Sequence, residues 1–373
     1  MRVYFDNAAT TPISEEVLDE MMPFLRNNYG NPSSTHQEGR TAKAGIEKAR
    51  KAIAAALNAT TSEIIFTSGG TEANNTAIKC AVRDLGVTRI ISSEIEHSCV
   101  FNTVNRMGRA DIRVEYVKLD GFGRADLDHL TELLQQNKDK TLVSLMHANN
   151  EVGTLNAIET IGSLCHQYGA LFHTDTVQTV GHIPLDVSSG HYNFISGSGH
   201  KLHGPKGVGF LYINKQNAIE CLIDGGGQER QMRSGTENVA SIIGLGKAIS
   251  TAIDDLHARM EHIQDVRSYF MDALRHHFPE TKFNGDAAGQ CLCTVLNVAF
   301  KTSTPVNILL FKLDLAGISA SGGSACNSGA VGQSRVLGKL NTYAGYESVR
   351  FSFSHYNTRD EVDFTIEKLK QIL

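Results

Sequence analysis

Lys201 stands in a run of small and polar residues, Ser196-Gly197-Ser198-Gly199-His200-Lys201-Leu202-His203-Gly204, directly after an apolar segment. An amine packed there is partly desolvated. Burial lowers its pKa from about 10.4 towards neutrality and makes it a competent nucleophile. Lys206, between Pro205 and Gly207, reads as an ordinary loop residue. One segment earlier, Ala170-Leu171-Phe172-His173-Thr174 runs into Asp175, with Gln178 three residues on. A carboxylate ending a buried apolar segment is costly without a partner. Two further polar clusters end apolar segments: Glu96-His97-Ser98-Cys99 and His147-Ala148-Asn149-Asn150-Glu151. A helix cap is the competing reading for His97, and a plain Asn-rich turn for the second cluster. Thr67-Ser68-Gly69-Gly70-Thr71-Glu72 opens a helical segment with small residues, which suits an anion at free backbone N–H groups. It is neither a P-loop nor a G-x-G-x-x-G, and an ordinary tight turn competes with it.

Seven β-rich runs position these residues: 63–67, 89–92, 113–117, 142–147, 170–174, 193–196 and 209–213. Amphipathic or Ala-rich stretches at 72–84, 100–107, 127–136 and 158–168 separate most of them. Such alternation predicts an α/β fold with a mostly parallel sheet covered on both faces. Ligands bind such sheets at the carboxyl ends of the strands. The polar clusters all fall there. A protonated pyridine nitrogen is a fitting partner for Asp175, and an aldehyde for Lys201. Together with the phosphate turn, they point to pyridoxal 5′-phosphate held on Lys201.

Bulk properties set the limits. The chain has 373 residues, a formal charge of −5, 34 Gly and no Trp. Nothing in that charge argues for nucleic acid. No apolar run approaches the length that spans a bilayer, and no basic run reads as a membrane-surface patch. Met1-Arg2-Val3-Tyr4-Phe5-Asp6 lacks the apolar region of a secretory signal. Seven scattered cysteines, an odd number, argue against a disulfide framework and for a reducing cytoplasm. Cys291 and Cys293 lie in an apolar stretch that reads as a strand, 291–300, and as buried structural thiols rather than a metal site.

A helical stretch from about Val239 to His277, with no Gly or Pro after Gly246, leads to a second unit. That unit mixes a helix (306–315), a Gly/Ser-rich loop (319–332), a strand (349–353) and a final helix (359–373). The expected division is a large domain, 14–256, and a small α+β domain formed by 1–13 and 257–373 and carrying the loop.

Several motifs carry a family resemblance over nearly the whole chain. They are Tyr4-Phe5-Asp6-Asn7-Ala8-Ala9-Thr10-Thr11-Pro12, Gly30-Asn31-Pro32-Ser33-Ser34, the turn at 67–75, Glu96-His97 and Asn149-Asn150-Glu151. Asp175 with Gln178, Ser198-Gly199-His200-Lys201, the stretch 225–230 leading into Arg233-Ser234-Gly235-Thr236, and Ser348-Val349-Arg350-Phe351-Ser352 complete them. The chain resembles a cysteine desulfurase of the class V aminotransferase group, the iron–sulfur cluster assembly type. The resemblance implies the type I fold of pyridoxal-phosphate enzymes, with seven strands in the large domain. It implies a Schiff base on Lys201, Asp175 on the pyridinium nitrogen and His97 stacked on the ring as a proton carrier. Gln178 and Asn150 would contact the ring hydroxyl region, with Asn150 also near substrate. Gly70, Thr71, Ser198 and His200 would hold the phosphate. Thr236 would reach the phosphate of the other subunit, which makes the protein a homodimer. Arg350 would bind the carboxylate of L-cysteine, as its planar fork suits.

Ser319-Ala320-Ser321-Gly322-Gly323-Ser324-Ala325-Cys326-Asn327-Ser328-Gly329 adds a thiol. A buried small hydrophobe is the ordinary reading of a single Cys, and Gly and Ser neighbours offer it no apolar packing. The resemblance makes Cys326 the residue that attacks the sulfur of bound cysteine and becomes a persulfide, leaving alanine. It is also a candidate transient ligand to an iron–sulfur centre; no other metal ligand is expected. An extra Gly at 323 and a short span from Cys326 to Arg350 depart from the family pattern and leave the sulfur-acceptor protein, such as an iron–sulfur scaffold, open. Selenocysteine lyase and class V aminotransferase chemistry are the neighbouring enzymatic readings. A sulfur- or metal-binding carrier is the non-enzymatic one.

Overall fold

The computed structural model describes residues 1–136, 138–302, 308–322, 334–340, 343 and 345–373. A short strand, β1 (Val3–Tyr4), precedes helices α1 (Glu15–Arg26) and α2 (Gln37–Leu57). Strands and helices then alternate as β2 (Ile64–Thr67), α3 (Gly70–Leu85), β3 (Arg89–Ser92), α4 (Ser98–Gly108), β4 (Arg113–Tyr116) and α5 (Leu127–Gln135). They continue as β5 (Thr141–Ser144), α6 (Ile158–Gln167), β6 (Leu171–Asp175), β7 (Phe194–Ser198) and β8 (Gly209–Ile213). Two helices, α7 (Val239–Asp254) and α8 (Leu256–His277), lead to β9 (Lys282–Asn284), β10 (Val295–Lys301), α9 (Ile308–Leu315) and β11 (Ile318–Ser319). The chain closes with α10 (Arg335–Lys339), β12 (Tyr346–Ser352) and α11 (Arg359–Ile372).

Seven strands form one sheet in the order β2-β8-β7-β6-β5-β3-β4. Only β8 runs against its neighbours β2 and β7; the other pairings are parallel. β2, β3, β5 and β7 are buried along their whole length, as a sheet covered on both faces requires. Each expected strand of this sheet is present, with ends moved by at most three residues. The register sets Asp175 at the end of β6 beside Ser196 of β7.

β12, β10 and β9 form an antiparallel sheet, and β1 pairs parallel with β11. Val3 and Phe5 join a separate apolar core with Ile263, Phe270, Val298, Phe351 and Val362. The Phe5 and Phe270 rings stack at 5.8 Å. Replacing such a buried ring by Ala costs about 3–5 kcal/mol.

Two expectations need correction. The stretch from Val239 to His277 is two helices broken at Asp255, whose φ and ψ of −106° and 12° are not helical. Ile242, Leu245 and Ile249 of α7 pack in the core of the large sheet, while Ile263, Val266 and Phe270 of α8 pack in the second core. The chain changes core at the break, and packing overrides an unbroken helical pattern. The run from Cys291 is likewise not a strand before Val295. Cys291 makes a single bridge to Thr154, and Cys293 and Thr294 form a turn. Both thiols are only partly buried, and Cys293 Sγ lies 3.7 Å from Met260 Sδ.

Candidate active site

The carboxyl ends of β2, β3, β5, β6 and β7 surround a cavity of about 180 Å³. Its floor is Asp175, 7% exposed. Asn74 Nδ2 donates to Asp175 Oδ2 at 2.7 Å, and the Val177 N–H donates to Oδ1 at 3.0 Å. The carboxylate is therefore partnered within the protein and still has acceptor capacity for a group in the cavity.

Lys201 sits in a single helical turn, Gly199–Lys201, after β7. Its Nζ donates to Ala8 O at 2.6 Å and Ala9 O at 2.7 Å. Gln178 Nε2 also donates to Ala8 O, at 3.1 Å. The N-terminal segment is thus a wall of the cavity, held by residues 193 and 170 positions away. His200 Nδ1 lies 3.2 Å from Thr10 Oγ1, and burial lowers its pKa to about 4. Ser198, 3% exposed, ends β7 beside the glycines that open α3.

Gly69 caps α3 with φ 151° and ψ 179°, a conformation reserved for glycine. No side chain caps the helix, so Gly70 and Thr71 present uncapped backbone at its N-terminus. The first-turn Glu72 would oppose an anion there. It is instead engaged by Arg233 Nε at 3.0 Å and the Ser68 N–H at 2.9 Å.

His97 both caps and lines. Its Nδ1 accepts from the Cys99 N–H at 3.2 Å, as the cap of α4, and lies 3.0 Å from Cys99 Sγ. Burial depresses its pKa, opposed by Asp175 and helped by Lys201. A neutral ring with an accepting Nδ1 carries its proton on Nε2. Behind it Glu96 is fully buried, and burial pushes its carboxyl up to about 8.

Asn150 and Arg350 complete the lining. Arg350, 1% exposed, donates from Nη1 to Asn150 O at 2.9 Å and from Nη2 to Asp6 Oδ1 at 2.8 Å. Its Nε is buried without a hydrogen-bond partner among the described residues. Asp6 Oδ1 also accepts from Ser321 Oγ at 2.8 Å.

The structure therefore brings Gly70, Thr71, His97, Asn150, Asp175 and Gln178 together with Ser198, His200, Lys201 and Arg350. Thr236 is exposed and does not line the cavity. Cys326 lies outside the described residues. Sequence reasoning missed Asn74, Cys99 and the carbonyls of Ala8 and Ala9. A polar Asn on the buried face of α3 was the one available signal. No group of three or more His, Cys, Asp or Glu among the described residues is arranged to hold a metal ion.

The donor set fits pyridoxal 5′-phosphate: an amine, a carboxylate deep on the floor, an imidazole on one side and an uncapped helix start for the phosphate. Asp175 ends β6 and Lys201 follows the adjacent strand β7 of one sheet. The chain belongs to the class-V aminotransferase family, whose pattern matches residues 3–364. A protein named cysteine desulfurase IscS, from Dictyoglomus turgidum, is 42% identical over 375 residues, which is 100% of this chain and 94% of that one. A solved NifS-like protein superposes with a TM-score of 0.92 at 36% identity, covering 100% of this chain and 99% of its own. A structure described as SspA in complex with cysteine gives a TM-score of 0.81 at 32% identity, covering 96% and 100%.

Proposed function

We infer that the cavity between the strand ends and the N-terminal segment serves cysteine desulfuration. The chain is a cysteine desulfurase, and its substrate is L-cysteine. The observation that carries the site assignment is Lys201 and Asp175 facing one cavity with Arg350 on its wall. The products are L-alanine and a persulfide on Cys326.

Bound pyridoxal 5′-phosphate supplies a carbonyl for the substrate amine and a ring that stores the charge left when the Cα proton departs. Lys201 would hold the group covalently, and its amine would be the nearest base for that proton. Asp175 would pair with the ring nitrogen. His97 would carry protons through Nε2. Gly70, Thr71, Ser198 and His200 would hold the phosphate, and Gln178 and Asn150 would serve the ring hydroxyl side. Arg350 grips the substrate carboxylate, with Asp6 and the Asn150 carbonyl fixing its plane. Cys326 would attack as a thiolate: a sulfur–sulfur bond forms, the substrate carbon–sulfur bond breaks with its electron pair staying on Cβ, and protonation there lets the carbon skeleton leave as alanine.

The division into a 14–256 domain and a domain of 1–13 with 257–373 is supported by the two separate apolar cores. The exposed position of Thr236 favours a role in trans, at the cofactor phosphate of a second subunit. The sulfur then passes to an acceptor protein such as an iron–sulfur scaffold. No described helix is long and apolar enough to cross a membrane. Six described cysteines are unpaired, which favours a reducing compartment such as the cytoplasm.

Incubation with L-cysteine tests the reading by measuring alanine, sulfide with and without reductant, and persulfide on Cys326. Lys201→Ala abolishes turnover and the visible band of the bound cofactor. Cys326→Ser keeps the band and loses sulfur release; full sulfur release by that variant removes Cys326 from the mechanism.

A further inference from the structure

Behind the cavity, four side chains form one line of hydrogen bonds that ends on Asp175. Ser144, His173 and Asn74 are each 0% exposed. Ser144 Oγ lies 2.8 Å from His173 Nδ1. His173 Nε2 lies 3.0 Å from Asn74 Oδ1, and Asn74 Nδ2 lies 2.7 Å from Asp175 Oδ2.

Three elements build this line. The register of β5 on β6 sets Ser144 opposite His173. His173 and Asp175 are two apart on β6 and so share a face of the sheet. α3 crosses that face and presents Asn74 between them.

The sense of the line is forced. Ionised Asp175 only accepts, so Asn74 turns its NH₂ to the carboxylate and its carbonyl to His173. That carbonyl also only accepts, so His173 carries its proton on Nε2. Burial keeps His173 neutral, its pKa lowered to about 4. Its Nδ1 therefore accepts from the Ser144 hydroxyl. Each donor points towards Asp175, and each bond polarises the next. The second NH₂ hydrogen of Asn74 reaches Cys99 Sγ at 3.3 Å, which ties the amide to the cavity lining.

We propose that Asn74 and His173 are positioning residues that hold the Asp175 carboxylate aimed into the cavity, and so set the protonation of the cofactor's ring nitrogen. The inference rests on reading the cavity as a pyridoxal 5′-phosphate site. His173 does not line the cavity, and Asn74 lines it beside Asp175. They act through Asp175, which lines the cavity and keeps acceptor capacity beyond its two donors.

The holoenzyme is loaded with cofactor isotope-labelled at the ring nitrogen, and the nitrogen's NMR shift is read beside cofactor affinity and the kcat and KM for L-cysteine. Wild type shows a protonated nitrogen. His173→Leu and Asn74→Ala move the shift towards the unprotonated value and lower kcat about 10–100-fold, with KM changed little. His173→Gln, whose amide can still donate to Asn74, recovers most of both. Loaded His173→Leu and Asn74→Ala proteins with a wild-type shift and wild-type kcat overturn the proposal, as does a Gln variant no better than the Leu one. If His173→Leu does not fold, Ser144→Ala decides by the same shift. It removes one hydroxyl at the far end, and an unmoved nitrogen signal overturns the proposal. A wild-type protein that takes up no cofactor overturns the reading of the cavity together with this inference.

Discussion

Two arginines lie equally deep in this protein and differ in what is left for them to do. Arg50 of α2, 2% exposed, uses every group it has. Nη1 donates to Ile64 O at 2.7 Å and to Glu229 Oε2 at 2.8 Å, Nη2 to Glu229 Oε1 at 2.8 Å, and Nε to Glu47 Oε1 at 3.1 Å. Its guanidinium also lies 4.6 Å from the Phe66 ring centroid. Glu229 in turn accepts from the Phe66 N–H at 2.8 Å. Arg350, 1% exposed, has one carboxylate contact, one carbonyl contact and an unmatched Nε, and it lines the cavity. The surroundings differ accordingly. Glu229, Arg230 and Gln231 all have positive φ, 45°, 58° and 68°, a run that costs energy in any residue but glycine. The Arg50 clamp holds it. A buried arginine with all three nitrogens engaged fastens backbone, whereas one with a nitrogen to spare can receive a ligand.

The largest expected effect breaks the clamp. Arg50→Met leaves the Glu229 carboxylate buried and unpaired, and urea unfolding should register a loss of about 3–5 kcal/mol. Next comes the receptor. Arg350→Lys keeps the charge and loses the fork, so kcat/KM for L-cysteine should fall about 100-fold while unfolding midpoints barely move. If Arg350→Lys destabilises as Arg50→Met does and spares kcat/KM, the two arginines do the same work and the comparison collapses.

Acid tests the cavity side more gently, through His147 and His173. Burial lowers both to about 4 in the folded protein, against about 6.5 unfolded. The unfolded chain therefore takes up protons that the folded chain refuses. Stability should fall as pH drops from about 6.5 to about 4, by up to about 1.4 kcal/mol per pH unit for each histidine, and be flat with respect to them above that window. Urea midpoints at neutral and mildly acid pH check this, and His147→Gln should remove one histidine's share of the slope. The smallest effect lies far from both arginines. Thr358 and Glu361 form a capping box at the start of α11, and Thr358→Ala should cost about 1 kcal/mol with turnover unchanged.

Much of the candidate site was legible because several of its residues end or follow an apolar strand, and that transition is local. Asp175 and Lys201 are visible in this way. Asn74, Asp6 and Glu229 are not, since their roles come from partners far along the chain: Asp175, Arg350 and Arg50. The break at Asp255 has no glycine, proline or side-chain cap to announce it. It arises because two cores compete for one helical pattern. The stretch from Cys291 has the composition of a strand, yet the sheet begins only at Val295. His97 shows why competing readings deserve equal standing: it is a helix cap and a cavity residue at once.

The wall that holds Lys201 has a consequence for the order in which the protein is made. Ala8 and Ala9 precede Lys201 in the chain, but among the described residues β1 has no sheet partner before Ile318 and Ser319 exist. The Phe5 carbonyl likewise waits for the Ser352 N–H. At about 5–20 residues per second, Lys201 leaves the ribosome about eight to thirty seconds before Ser352 does. During that interval its amine lacks the two carbonyls that hold it in the finished molecule. The wall of the cavity is thus closed by one segment made before Lys201 and another made well after it, and a product cut short of Ser352 never completes it.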